Sequence, residues 1–395
     1  MNDFKWKGYI TRFLAAQTIS LLGSAIVQYA IIWYITLTTS SGKMITLSTL
    51  CGFLPQIVIS FFAGVWIDRY NRKRIVMITD CLIACATLIL ALSFFSGHRN
   101  IWLLFTVLAI RSAGTGVQTP AVNAIIPQIV PKEYFLKING INSTLSSIIM
   151  FVSPAISGAV LSIATLEETL LIDILTALVG VCITATVPIE PLKIGCKTHE
   201  SYFAKVREGF DYLKKHSFIR NLLIFQLIIL FLISPSAFLT PLMVSRTFGT
   251  EVWRLTMSEM MYSLGMTIGG AIITSWGGFK KKLNTTLIAG GLYGAFMIGL
   301  GTAPVFIAYL VCNMLIGVTS PCYNTPITAS IQENVEAEMQ GRIFSFMQIA
   351  TSCALPLGMM FFGPLADRTN IQSLLIISGI LVFSISAFVY TKKIL

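Results

Sequence analysis

Charge is scarce in this chain. Only 11% of its 395 residues are Asp, Glu, Lys or Arg, less than half of the roughly 25% usual in a soluble domain. With 55% of the residues apolar, a water-soluble globule is excluded, because a core of this size cannot enclose that much apolar surface and the remainder must face lipid. Histidine is scarcer still: His98, His199 and His216 are scattered without metal-ligand spacing. No Cys-x-x-Cys occurs. Seven of the eight cysteines fall in apolar runs, where a thiol behaves as a small apolar side chain, so neither a metal nor a cofactor is expected. There is no Gly-x-x-x-x-Gly-Lys-Ser/Thr loop to cradle a nucleotide phosphate. Ser40-Ser41-Gly42-Lys43 matches a serine-hydrolase spacing by chance and without supporting motifs, and no enzymatic activity is expected.

What the chain has in abundance is long apolar runs. Runs of 18 or more residues read as membrane-spanning helices, and twelve are expected, near 11–37, 45–67, 75–95, 101–126, 138–163, 169–188, 219–244, 255–276, 283–303, 305–330, 341–365 and 371–391. The first is too long for the apolar region of a cleaved signal peptide. The longest polar stretch separates the sixth and seventh runs and includes an amphipathic piece, 202–216, expected to lie on the membrane surface. The expected organisation is an N-terminal six-helix bundle (1–189), a cytoplasmic linker (190–218) and a C-terminal six-helix bundle (219–395).

The basic residues orient the chain. With both termini in the cytoplasm, the inner segments hold Lys5, Lys7, Arg12, Arg69, Arg72, Lys73, Arg74, Lys132, Lys137, seven residues of the central loop, Lys280, Lys281, Lys282, Arg342, Lys392 and Lys393. That is 22 of the 28 basic residues. The outer loops keep Lys43, Arg99, Arg246, Arg254 and Arg368. This inner bias is the rule for multi-pass membrane proteins. It accounts for the formal charge of +11 without nucleic acid and brings anionic lipid in as a partner.

The two halves carry a repeat. Gly116-Val117-Gln118-Thr119-Pro120-Ala121-Val122-Asn123 in the fourth run parallels Gly317-Val318-Thr319-Ser320-Pro321-Cys322-Tyr323-Asn324 in the tenth. Pro154 and Pro356 fall at matching depth in the fifth and eleventh. Two pseudo-symmetric six-helix bundles in an all-α membrane protein are a transporter architecture, with the substrate near mid-membrane between the repeats.

The loop after the second run reads Gly64-Val65-Trp66-Ile67-Asp68-Arg69-Tyr70-Asn71-Arg72-Lys73-Arg74. A basic inner turn is ordinary, but Gly64 and Asp68 are not needed for one. The spacing resembles the loop signature of the major facilitator superfamily, G-x-x-x-D-R-x-x-R-[KR]-[KR]. The resemblance implies that Gly64 permits close helix approach. It also implies that Asp68, with Arg69 and Arg72 beside it, meets Arg342 as a latch of the outward-open state. Gly277-Gly278-Phe279-Lys280-Lys281-Lys282 is a weaker echo that lacks the Asp. Arg111 to Gly116 is similar to the superfamily's fourth-helix motif, associated with proton coupling. An Arg this deep costs about 2.5–3.5 kcal/mol to insert and usually faces a cavity or a carboxylate.

Three acids lie inside the runs. Asp80 is near a cytoplasmic end, where pairing with Arg72 or Lys73 is the plain alternative to a transport role. Asp173 is near the outer end of a helix that is peripheral in this architecture. Glu259 is in a helix that lines the cavity, suited to load and release a proton or to pair with a cationic substrate. With Arg111, these are the proton-coupling candidates. Gln17, Ser24 and Gln28 share a face of the first helix; with Pro120, Asn123 and Tyr262 they form the candidate substrate cavity, the polar face being equally open to helix–helix hydrogen bonding.

Further segments, among them Gly52-Phe53-Leu54-Pro55, Thr256 to Glu259, Gly265 to Gly270, Gly341 to Ser345 and Ala366-Asp367-Arg368, make the whole chain resemble the macrolide efflux proteins of the drug:proton antiporter group. The resemblance implies proton-driven efflux of a lipophilic drug at the cell membrane by a monomer. The alternatives are export of a siderophore or other amphipathic metabolite, facilitated solute uptake, or a non-transporting membrane partner.

Overall fold

The structure, a computed structural model, describes residues 3–189 and 216–392. The side chains of a few helical residues, Asp68 and Arg342 among them, also lie outside the description. The expected amphipathic piece 202–216 falls almost wholly outside it. Apart from turns, everything described is helical: α1 (Asp3–Thr39), α2 (Gly42–Arg69), α3 (Arg72–Phe95), α4 (Ile101–Ile129), α5 (Phe135–Ile163), α6 (Leu166–Thr186), α7 (Ser217–Phe238), α8 (Thr240–Thr247), α9 (Val252–Trp276), α10 (Lys282–Thr302), α11 (Phe306–Asn334), α12 (Ala337–Ala366) and α13 (Ile371–Lys392).

Short polar signals set the helix boundaries. The Asn71 side chain accepts from the Lys73 and Arg74 amides at the start of α3, and Asn100 accepts from Trp102 at the start of α4. Thr165 and Glu168 form a reciprocal capping box on α6, satisfying amides that have no intrahelical partner. Gly277, at φ 74°, ends α9 in the left-handed conformation. The seventh span, expected to be continuous, is broken at Leu239. Pro241 has no N–H to donate back to the preceding turn, so α7 stops and α8 begins.

Eleven spans among the described residues are long and apolar enough to cross a membrane, α7 and α8 counting as one. Their outward faces carry large apolar side chains, for example Leu92, Leu175, Ile307 and Ile377, as lipid contact requires. The long helix outside that set is α9, 25 residues in length, which carries Arg254, Ser258, Glu259 and Tyr262. With it the protein has twelve spans and is an all-α multi-pass membrane protein.

The helices cluster into two compact units, residues 1–35 with 50–198 and residues 36–49 with 199–395. The C-terminal end of α1 and the first turns of α2 thus group with the second unit.

The sequence repeat becomes the same helix contact in each unit. In the first, α4 lies so close to α2 that a Cβ on Gly116 would stand 2.6 Å from the Gln56 carbonyl oxygen. Nearby, Ser112 Oγ donates to the Gly52 carbonyl (2.7 Å) and accepts from the Gln56 amide (3.0 Å). In the second, a Cβ on Gly317 of α11 would overlap the Tyr262 carbonyl of α9, and Asn313 Nδ2 donates to the Ser258 carbonyl (2.7 Å). Aligning Gly116 with Gly317 aligns Ser112 with Asn313, and their partners Gly52 and Gln56 with Ser258 and Tyr262. Gly265 and Gly269 of α9 meet the Met314 and Val318 backbone of α11, so this small-residue face is used inside the unit.

Candidate functional site

In the first unit α1, α3, α4 and α6 enclose a polar cluster. Arg111 is ion-paired with Asp173, and the two side chains are 5% and 0% exposed. The guanidinium also donates to Thr87 Oγ (2.6 Å) and to the Ser24 carbonyl (3.0 Å). Asp173 Oδ1 accepts from Ser24 Oγ (2.7 Å) and Oδ2 from Thr87 Oγ (2.9 Å). Two buried charges are tolerable only when paired and hydrogen-bonded in this way. The sequence placed Asp173 near the outer end of a peripheral helix. α6 is packed against α3, and the carboxylate is fully enclosed.

Asp80, also buried, belongs to a separate cluster. Its Oδ1 accepts from Ser20 Oγ (2.8 Å) and Gln118 Nε2 (2.7 Å), while its Oδ2 has no partner among the described residues. It does not pair with Arg72 or Lys73, the plain alternative that the sequence left open. Lys73 Nζ instead donates to the Ala185 and Val187 carbonyls (2.7 and 2.8 Å) at the end of α6. Arg72 donates to the Ala124 carbonyl (2.8 Å) in the last turns of α4. Helix C-termini present unpaired carbonyls and partial negative charge, which attract Lys73. These members of the loop signature therefore fasten helix ends within the first unit. Arg69 is exposed. A Cβ on Gly64 would meet no described atom within 4 Å.

A cavity of about 290 Å³ adjoins the Arg111 cluster. Ser24, Gln28, Gln56 and Arg111 give it polar groups, and Phe53 and Leu108 are among its apolar walls. Of the expected cavity residues, Ser24 and Gln28 line it. Gln17 does not; it is buried with neither amide atom partnered. Pro120 and Asn123 do not line it either, and Asn123 is exposed.

In the second unit Glu259 is half-buried on α9 and makes no hydrogen bond or ion pair with another described residue. Tyr262 lies one turn on along α9. By the repeat alignment Glu259 corresponds to Phe53 and Tyr262 to Gln56, and both of those line the cavity of the first unit. The neighbouring Ser258, Tyr309 and Asn313 form a buried network that the sequence reading missed. Extending the repeat from Gly317 back to Asn313 would have found it.

Asp367, at the end of α12, was noted in the sequence only as part of a resemblance. Its carboxylate accepts from the Gly42 amide (2.6 Å), the Lys43 amide (3.0 Å) and Ser41 Oγ (2.9 Å) at the start of α2, and from Arg246 (3.2 Å). Partial burial pushes its pKa up. The Lys43 and Gly42 amides, the Ser41 hydroxyl and the Arg246 guanidinium together outweigh burial and hold it below the ordinary carboxylate value.

Twelve spans in two repeated halves, with a charged cluster and a cavity inside the helices, define a membrane transporter rather than an enzyme. The sequence profile of the Major Facilitator Superfamily matches residues 13–359, and the chain belongs to that family. It is 32% identical to macrolide efflux protein A of Streptococcus pyogenes, over 98% of this chain and 95% of that protein. It is 31% identical to macrolide efflux protein A of Enterococcus faecalis, over 80% of this chain and 99% of that protein. A crystal structure of a point mutant of the nucleoside transporter NupG shares the fold with a TM-score of 0.73 at 14% identity, covering 98% of this chain and 99% of that one.

Proposed function

We propose that this protein exports lipophilic, macrolide-like small molecules across the cell membrane in exchange for protons, by alternating access. The observation that carries the reading is the 32% identity to a macrolide efflux protein along almost the whole chain. The cavity beside Arg111 supports it, since a few polar groups among apolar walls suit a bulky amphipathic ligand. Proton exchange is supported by Glu259, an intramembrane carboxylate without a described partner and at the repeat position of a cavity residue. Arg111, Asp173 and Asp80 are the further coupling residues. A membrane potential supplies about 2.3 kcal/mol per charge per 100 mV, so one or two protons per cycle sustain useful accumulation.

In this reading both termini are cytoplasmic, the protein acts as a monomer, and residues 1–189 and 219–395 are the moving halves. Asp68 and Arg342 latch one state of the cycle. Expression in a pump-deficient host tests the function. The proposal expects raised resistance to macrolides and lower accumulation of labelled drug, both reversed by a protonophore. A screen that includes tetracyclines, lincosamides, dyes and siderophores defines the substrate range, and net uptake of a solute in place of efflux would favour the facilitated-uptake alternative.

A further inference from the structure

The transport proposal leaves a second cavity unused. It measures about 370 Å³ and lies in the second unit, bounded by the starts of α7 and α10 and the ends of α11 and α13. Lys280, Lys281 and Lys282 line it, and Glu333 is the acid among its lining residues. Lys282 is ion-paired with Glu333, so the cavity keeps the positive charge of the other two lysines. Gly277 and Gly278, with successive positive φ of 74° and 81°, turn the chain so that the lysines stand at the N-terminus of α10. No described side chain caps that end of the helix, so its first amides add donors and partial positive charge.

Three features point to a lipid rather than a free ion. The cavity falls in the size range of small-molecule sites, roughly 300–1,000 Å³, well beyond what an inorganic anion fills. Leu287 and Val389 give it an apolar wall, and Tyr390 an amphipathic one. Trp276 and Phe279, both exposed, pack edge to face at 4.7 Å beside the lysines, and exposed aromatics of this kind mark the headgroup level of a bilayer. We propose that this cavity binds the phosphate headgroup of an anionic phospholipid. Lys280, Lys281 and the α10 amides hold the phosphate, and the acyl chains leave along the apolar wall. Assignment to the inner leaflet rests on the sidedness proposed above; the binding chemistry does not.

Native mass spectrometry of the purified full-length protein, titrated with phosphatidylglycerol or phosphatidylcholine, tests the site. Phosphatidylglycerol is expected to be retained preferentially, and excess inorganic phosphate is expected not to displace it. K280Q/K281Q should weaken retention about thirtyfold, as loss of two cations beside an anionic group implies, whereas E333Q should strengthen it. Equal retention of the two lipids, or unchanged phosphatidylglycerol binding by K280Q/K281Q, overturns the proposal. Displacement by inorganic phosphate alone overturns the lipid assignment. Labelling of Lys281→Cys in whole cells reads the sidedness separately: modification by an impermeant reagent from outside overturns the inner-leaflet placement and leaves headgroup binding to the lipid titration.

Discussion

The Arg111 guanidinium and the Asp173 carboxylate, from α4 and α6, form an ion pair sealed inside the first unit. The Ser24 and Thr87 hydroxyls complete the donor set around the acid. Each charge is tolerable because the other is there. Asp173→Asn should therefore destabilise the protein by about 3–5 kcal/mol, the usual cost of leaving one buried charge unpaired. Arg111→Met combined with Asp173→Leu should recover much of that loss while abolishing transport. Thermal unfolding in detergent checks the first effect and drug accumulation the second.

Asp367 gathers two backbone amides, a hydroxyl and a guanidinium at the start of α2. Asp367→Ala should cost about 1–3 kcal/mol, because it leaves those donors without their acceptor. The sign of its pH dependence follows from the lowered pKa. A carboxyl that titrates below its unfolded value of about 3.9 stabilises the fold fully above that value and less as pH falls through the folded value. Wild type and Asp367→Ala should thus differ by a constant amount from pH 8 to about pH 5 and converge below about pH 4. Thermal unfolding across that range measures the difference.

The glycines of the repeat and of the loop signature should behave differently. Gly317→Ala drives a methyl group into the Tyr262 carbonyl and should destabilise by about 1–3 kcal/mol, the usual penalty of overpacking. Gly64→Ala meets open space and should leave the melting temperature unchanged. If Gly64 serves a close approach in another state of the cycle, the same substitution lowers the transport rate, so paired melting and flux measurements separate the two roles.

Glu259→Gln should keep the fold, since the side chain has no described partner to lose, and should remove the pH dependence of transport. Asp173→Asn, in contrast, should lose stability and transport together. Comparing melting temperature and pH–flux profiles for the two variants distinguishes a coupling group that leaves the fold intact from one that also holds the structure.

Much of this organisation was legible in the chain. Apolar runs longer than 18 residues located the spans because a bilayer allows few alternatives, and the Gly-Val…Pro…Asn repeat pointed to two related halves, in which Gly116 and Gly317 make matched contacts. What periodicity does not carry is how helices distant in sequence are rotated against one another. Arg111 and Asp173 were both singled out, yet nothing in their spacing said that they meet. Lys73 and Arg72 were read as signature residues, whereas Lys73 donates to the Ala185 and Val187 carbonyls and Arg72 to that of Ala124, backbone acceptors that no side-chain pattern reveals. Asp367 followed the same logic: its main partners are the amides of Gly42 and Lys43, invisible to a reading of side-chain types. Glu259 stood out because a lone acid in a spanning helix is costly, and its correspondence to Phe53 emerged only once the two helix contacts were superposed.

Flux in proteoliposomes with an imposed pH gradient tests proton-driven export most directly. With purified protein and a labelled macrolide, the account predicts uphill movement of the drug that reverses with the gradient, stops with a protonophore and fails in Glu259→Gln. Drug movement that is indifferent to the gradient, in the wild type and the variant alike, would contradict it.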